Sequence, residues 1–385
     1  MKNAIPILTI IILIAVTLGL FIYDDTKVSE KIEDVVETQA IVIEVDNSNV
    51  IQSNVSSIGY QLLTVKVLQG KYKDRETEAT NNMLGNLEMD NFYKPGDKII
   101  VALLEKNDQI WDAKALDMDR QQWELILFGA FVLCLVLYAR ITGLKALFSF
   151  IASLYVIWKL FIPGLLKGEN PLILGTMVLT LLTALIIFSI AGFTRKGLAA
   201  FLGTMSGMIA TIGLTILFGM KLRLDGLTEP YAATLLISGH LDLNMRHIFY
   251  TAIIIGASGA AMDIAMDVAA SMEEVMLKKP DIGVKELIQS GFNVGRAVIG
   301  TMTTTLLLAY SGGYLTLLML FMTKNSSFIR IMNLKIVSAE IMRTVVGSIG
   351  LVLVAPITAI LAGWIYTMNV SFLHKKAVAQ ELKEE

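Results

Sequence analysis

Downstream of residue 120 the chain is written in apolar runs of about 16 to 26 residues, parted by short clusters of charge. The runs lie at 123–138, 144–162, 171–193, 197–220, 248–270, 297–322 and 344–366, and another at 6–23 precedes them. A helix needs roughly 20 apolar residues to cross a bilayer. In hydrocarbon every backbone N–H and C=O must be satisfied within the segment, so such runs fold as helices or not at all. A hydrophobic fraction of 55% and a mean hydropathy of +0.64 carry the same implication for the whole chain, a multi-pass membrane protein.

Local punctuation sharpens the runs. Arg140 and Lys145 separate the second from the third, Pro171 opens the fourth, and Arg195-Lys196 separates it from the fifth. Gly203-x-x-x-Gly207 in the fifth predicts close approach of a neighbouring helix. Trp123, Tyr138, Trp158, Tyr250, Tyr314, Trp364 and Tyr366 fall near run ends, where interfacial anchors sit. The run at 6–23 ends in GLFIYDD with no small-x-small cleavage site, which reads as an uncleaved anchor.

Residues 24–120 are different material. They hold 19 acidic and 11 basic residues, a balance of −8 against a net −2 for the chain. Leu63, Val65 and Val67 alternate with Thr64 and Lys66, the period of a half-buried strand. Further strands are expected at 41–45, 76–81 and 98–104, the last after the turn Lys94-Pro95-Gly96-Asp97. About five short strands in under 100 residues point to a small barrel, with an OB-like one as a candidate. The acidic surface reads as a solvated face.

The expected fold class is therefore a polytopic α-helical membrane protein of about eight transmembrane helices, with a small extracytoplasmic β-rich domain. Its parts are an anchor at 1–23, the β-rich domain at 24–120, the membrane domain at 121–368 and a cytoplasmic tail at 369–385. With both termini inside, basic residues number about 12 in cytoplasmic segments against 9 in short external ones. Two stretches complicate the count. Residues 222–246 carry Glu229, Pro230, Gly239, His240 and Asp242, and residues 323–343 carry Lys324, Arg330, Lys335 and Arg343. Each reads as a loop, or as a re-entrant or interfacial segment. If 231–243 spans, every later helix inverts. Between the sixth and seventh runs, a plain hairpin and a surface helix capped by Asp281 are the two readings.

Polar residues inside the runs are the candidate sites. Asp263 and Asp267 stand four apart, so a helix puts both on one face, with Gly256, Gly259 and Ala260 on or near it. A carboxylate within a span costs about 2.5–3.5 kcal/mol, which marks it for a function or a partner. Asn293 and Arg296 lead into the seventh run, ahead of Thr301, Thr303, Thr304 and Thr305. An arginine there snorkels by default, and threonines bond back to their own helix or line a route. Ser311-Gly312-Gly313 is a place where that helix can unwind. Glu340 and Arg343 are spaced to pair with each other; Arg343 neutralising Asp263 or Asp267 across the bundle is the alternative.

Several classes are excluded. A single cysteine, Cys134, makes no intramolecular disulfide, and three histidines with one cysteine leave little for a transition-metal centre. No Walker A, GxSxG or HExxH motif occurs, so no enzyme, cofactor or metal is expected. A net charge of −2 gives no footprint for nucleic acid. An aspartate protease needs its two carboxylates on facing helices, and these share one.

Three stretches resemble the YibE/YibF-like family of multi-pass bacterial membrane proteins: GASGAAMDIAMDVAASMEE at 256–274, FNVGRAVIGTMTTTLLLAYSGG at 292–313 and EIMRTVVGSIGLVLVAPITA at 340–359. The resemblance covers about 123–366 together with the upstream layout. It implies a multi-pass architecture in a bacterial plasma membrane and carries over no catalytic residue and no substrate. Members often look like paired neighbours, which implies a paralogous membrane partner; a homo-oligomer is the other arrangement. Two functions remain open. One is a secondary transporter or permease of a small solute, with Asp263 and Asp267 as the ion or substrate site. The other is a membrane scaffold or accessory subunit that recruits envelope partners through the β-rich domain.

Overall fold

The computed structural model of the chain describes residues 35–368 except 53–54, 88, 107–108 and 324–326. The expected anchor and tail lie outside the described residues, as does Lys324. The chain divides into two compact units, with the boundary between Tyr138 and Ala139.

The first unit is built on six strands: β1 (Val35–Asp46), β2 (Val50–Gln52), β3 (Ser57–Val67), β4 (Glu76–Leu84), β5 (Lys98–Lys106) and β6 (Gln109–Met118). β1 pairs with both β3 and β5, β5 with β6, β6 in parallel with β4, and β4 with β3. Five strands thus close a small barrel, and the three-residue β2 hangs on β3. The period-2 pattern read in the sequence holds: Leu63, Val65 and Val67 are all fully buried. They meet Ala40, Val42, Ile99, Val101, Leu103 and Ala113 in one core. β6 has no clear alternation in its sequence and escapes the sequence reading. Two polar side chains are also buried, Gln61 and Asn81. Gln61 Nε2 donates to Asn47 Oδ1 (2.7 Å) and to the Tyr93 carbonyl (3.1 Å). Its Oε1 accepts from the Tyr93 amide (2.9 Å) and from Asn81 Nδ2 (2.9 Å). This pins the irregular segment around Tyr93 to the barrel.

α1 (Gln121–Val156) straddles the unit boundary as two helical stretches joined at Arg140, whose φ is 49° and ψ −123°. A π-helical turn, Ile157–Phe161, leads on to α2 (Ile162–Leu166). The two runs expected at 123–138 and 144–162 are therefore one helical segment interrupted at Arg140, one of the two residues that separate them in the sequence, while Lys145 lies within the helix. Next come α3 (Pro171–Ala191), α4 (Arg195–Lys221), the short α5 (Ala232–Ile237), α6 (Met245–Lys278), α7 (Val284–Gly313), α8 (Leu315–Thr323), the short α9 (Phe328–Met332) and α10 (Lys335–Thr367). Among the described residues, five helical segments are long and apolar enough to cross a membrane, or six if α7 and α8, bent by 67°, make one span. Residues 222–246 contain only the six-residue α5 before α6 begins, and no spanning helix. The polar hairpin after α6 holds no separate surface helix either. Gly283, not Asp281, precedes the helix, and residues 284–289 are the opening turns of α7.

α6 is the central helix of the second unit, packed against α3, α4, α7 and α10. Small residues let the helices approach closely. A side chain at Gly203 would strike Thr358, one at Gly207 would strike Val354, and one at Gly350 would strike Thr211. The Gly203-x-x-x-Gly207 signature therefore marks the α4–α10 seam, with the two helices antiparallel. Tyr250 and Tyr366, expected at the membrane interface, are instead fully buried, whereas Trp123, Tyr138, Trp158 and Trp364 are exposed. The Tyr366 hydroxyl donates to the Ala269 carbonyl (2.8 Å), which explains why its polar end tolerates the interior.

A buried ionic cluster at a broken helix

α7 stops at Gly313 and α8 restarts at Leu315, so the break falls at the Ser311-Gly312-Gly313 motif singled out in the sequence. Glycines without a packing partner weaken the helix there: a Cβ on Gly312 or Gly313 would meet nothing. Tyr314 sits in the break, and Arg343 of α10 lies beside it, with Nη1 3.5 Å from the Tyr314 hydroxyl. The same guanidinium pairs with Glu229 from the 222–231 loop and with Glu340 one turn earlier on α10 (3.4 Å). It also lies over the Phe249 ring of α6, 5.9 Å from the centroid.

The cluster is largely withdrawn from solvent. Side-chain exposure is 16% for Arg343, 16% for Glu340 and 23% for Glu229. One cation thus serves two carboxylates. Among the described residues, Glu340 Oε2 and Arg343 Nε are buried without a hydrogen-bond partner. A second ionic contact ties the same loop to the start of α10, from Asp225 to Lys335 (2.7 Å). The Lys335 ammonium holds the Asp225 carboxyl below its ordinary range, against a smaller opposing effect of burial.

The start of α4 is tied to both α6 and α10. Lys196 pairs with Glu273 (2.9 Å), and Arg195 Nη1 donates to the Tyr366 carbonyl (3.1 Å).

The aspartates lie elsewhere. Asp263 and Asp267 do share one face of α6, but that face, with Gly256 and Gly259, is open to the outside of the bundle. Neither makes an ion pair or hydrogen bond among the described residues. Arg343 is committed to Glu229 and Glu340, so the cross-bundle pairing of Arg343 with Asp263 or Asp267 is not made. Glu229, in the stretch that reads from the sequence as a loop or as a re-entrant or interfacial segment, is a half-buried partner of Arg343. Counted from Glu273, Asp267 lies six residues and Asp263 ten residues deeper, about 9 and 15 Å along the helix.

Thr301, Thr303 and Thr305 hydrogen-bond carbonyls of their own helix, the ordinary use of threonine in a span. Thr303 and Thr304 also face Thr344 and Ser348 across a cavity of about 420 Å³ between α7 and α10. Arg296 lines a second cavity, about 310 Å³, with Phe292, Ala355 and Pro356, and Asn293 is exposed on the same part of α7.

A family model described as YibE/F-like protein matches residues 127–368, and one described as YibE/F family N-terminal domain matches residues 25–118. The chain belongs to the YibE/F family. The two YibE/F matches take in both units and every residue of the ionic cluster. No curated protein and no solved structure matches the chain.

Two members of the cluster in this YibE/F protein, Glu229 and Tyr314, were not named as site residues from the sequence. Arg343 contacts Glu229 across 114 positions and Tyr314 across 29, distances over which no local spacing speaks. The Ser311-Gly312-Gly313 motif was the available signal for Tyr314.

Proposed function

We propose that the second unit is a secondary transporter or permease for a small solute, gated by the Glu229–Arg343–Glu340 cluster. The observation that carries this reading is a helix broken beside a buried ionic cluster. Broken helices free backbone groups next to a route, and the freed ends favour charged groups. Glu340 Oε2 is the atom a proton or a cation would engage, and the Arg343 Nε–H is the donor a polar solute would engage. Ionic contacts at both ends of α4, Lys196 to Glu273 at its start and Asp225 to Lys335 just past its end, suit a bundle that opens one end at a time.

In this reading the protein lies in a bacterial plasma membrane. The two stretches of α1, then α3, α4, α6, α7 with α8, and α10 supply seven spans, and the anchor expected at 6–23 an eighth. Both termini are then cytoplasmic and the barrel extracytoplasmic. Its ring order, β1-β3-β4-β6-β5, is that of an OB-like barrel.

The test is charge movement by the full chain in proteoliposomes on a solid-supported membrane, with jumps of pH, sodium, potassium and small amino acids. A transient current from the wild type that falls at least tenfold in Glu340→Gln is expected. No current from folded wild type under any of these jumps, or equal currents from both proteins, counts against the proposal.

A scaffold role is the second reading, and one observation favours it. Ile51, Ile58 and Leu84 pair across β2, β3 and β4 and are 75%, 54% and 82% exposed. If Ile58→Asp abolishes cellular function while Glu340→Gln leaves it intact, the scaffold reading prevails.

A further inference from the structure

We propose that the open face of α6 is an interface with a second copy of this chain, in which Asp267 of one copy pairs with Arg296 of the next. The inference does not depend on the transport reading.

Three observations meet here. First, α6 is covered on its other sides but leaves Gly256, Gly259, Asp263 and Asp267 open. A Cβ on Gly259 would meet nothing, and one on Gly256 only the Tyr310 hydroxyl at 3.6 Å. Such a face admits a helix at close range, and lipid tails give its carboxylates no partner.

Second, Arg296 is exposed on α7 and makes no ion pair or hydrogen bond among the described residues. It lines the cavity between α7 and α10, on the side of α7 that faces α10, and Asn293 and Gly300 continue that face.

Third, the charges stand at one height. A Cβ on Gly295 would lie 3.8 Å from Val268, and Gly256 lies near Tyr310, so α6 and α7 run antiparallel with Asp267 level with Arg296. Within one chain the two charges occupy different faces of the α6–α7 pair. Rotation about an axis along the membrane normal preserves height and is the operation that brings them face to face. A copy of the chain therefore offers a cation at the required depth, on a surface whose own charge also lacks a partner.

The test co-expresses two differently tagged full chains in a Cys134→Ser background, one carrying Ala270→Cys and the other Asn293→Cys. These positions lie one turn from Asp267 and Arg296 on the same faces. Mild oxidation in membranes should give a species carrying both tags, which either chain alone cannot form. Single-molecule photobleaching in bilayers should count more than one copy. Asp267→Arg or Arg296→Asp alone should lower that count at least tenfold in the fraction associated, and the double variant should restore it. Absence of the mixed species, single-step bleaching of wild type at every density, or a double swap no better than either single variant overturns the proposal. A swap variant that fails to insert leaves the cysteine cross-link and the wild-type count to decide.

Discussion

Arg343→Met is the sharpest perturbation of the ionic cluster. Methionine keeps most of the volume and loses the charge, leaving Glu229 and Glu340 facing each other with side-chain exposures of 23% and 16%. Breaking a buried pair by removing one partner costs about 3–5 kcal/mol, because the remaining charge is stranded. Two stranded carboxylates place this variant at the upper end, about 5 kcal/mol. For a unit of this size 1 kcal/mol moves the unfolding midpoint by about 2–4 °C, so a fall of about 10–20 °C is expected. The triple variant Glu229→Gln, Glu340→Gln, Arg343→Met removes the stranded charge along with the cation. It should recover most of the loss, since replacing a whole buried ionic group is often neutral. The assay is intrinsic tryptophan fluorescence of the full chain in nanodiscs during a thermal ramp, compared at one scan rate. A drop under 2 °C for Arg343→Met, or a triple variant as unstable as the single, refutes the reasoning.

Other expectations follow from packing and titration. Gly207→Leu drives a side chain into Val354 at the α4–α10 seam and should cost about 1–3 kcal/mol or more, read as a lower unfolding midpoint in detergent. Gln61→Ala strands the Tyr93 amide and carbonyl in the barrel, while Asn81 keeps its bond to the Asn91 carbonyl, at about 1–3 kcal/mol for each buried group left unpaired. Amide exchange at Tyr93 should accelerate, with the α4–α10 seam unaffected. The Asp225–Lys335 contact carries a pH dependence. Its carboxyl is depressed in the folded state, so the contact stabilises above the ordinary carboxylate value of about 3.9 and is lost as pH falls through the lower folded value. Amide protection factors across 222–231 should drop below about pH 4 in the wild type and stay flat in Asp225→Asn.

The architecture was legible where one periodicity decided the matter. β3 buries alternate residues because its Leu63–Val65–Val67 pattern permits one register with the core inside. Gly203 and Gly207 announced a close helix contact, and Ser311-Gly312-Gly313 announced a break, because glycine acts locally. What the sequence withheld was long-range. Whether Arg343 would meet Glu229 or Asp263 depended on which helix faces adjoin, and hydropathy does not encode that. The same limit hid the burial of Tyr250 and Tyr366, since a tyrosine near a run end reads alike whether it meets lipid headgroups or a neighbouring helix. The aspartates of α6, singled out in the sequence by their cost in a span, stand on the exposed face of that helix, which hydropathy does not encode either.

The central claim is that the ionic cluster closes one end of a route through the second unit. Its most direct test is thiol labelling at Ser311→Cys, beside the break, in a Cys134→Ser chain in sealed membranes. With a membrane-impermeant reagent, the labelling rate should rise at least tenfold when Glu229→Gln loosens the latch. An equal rate with the latch intact and loosened, in proteins that unfold at the same temperature, contradicts the account.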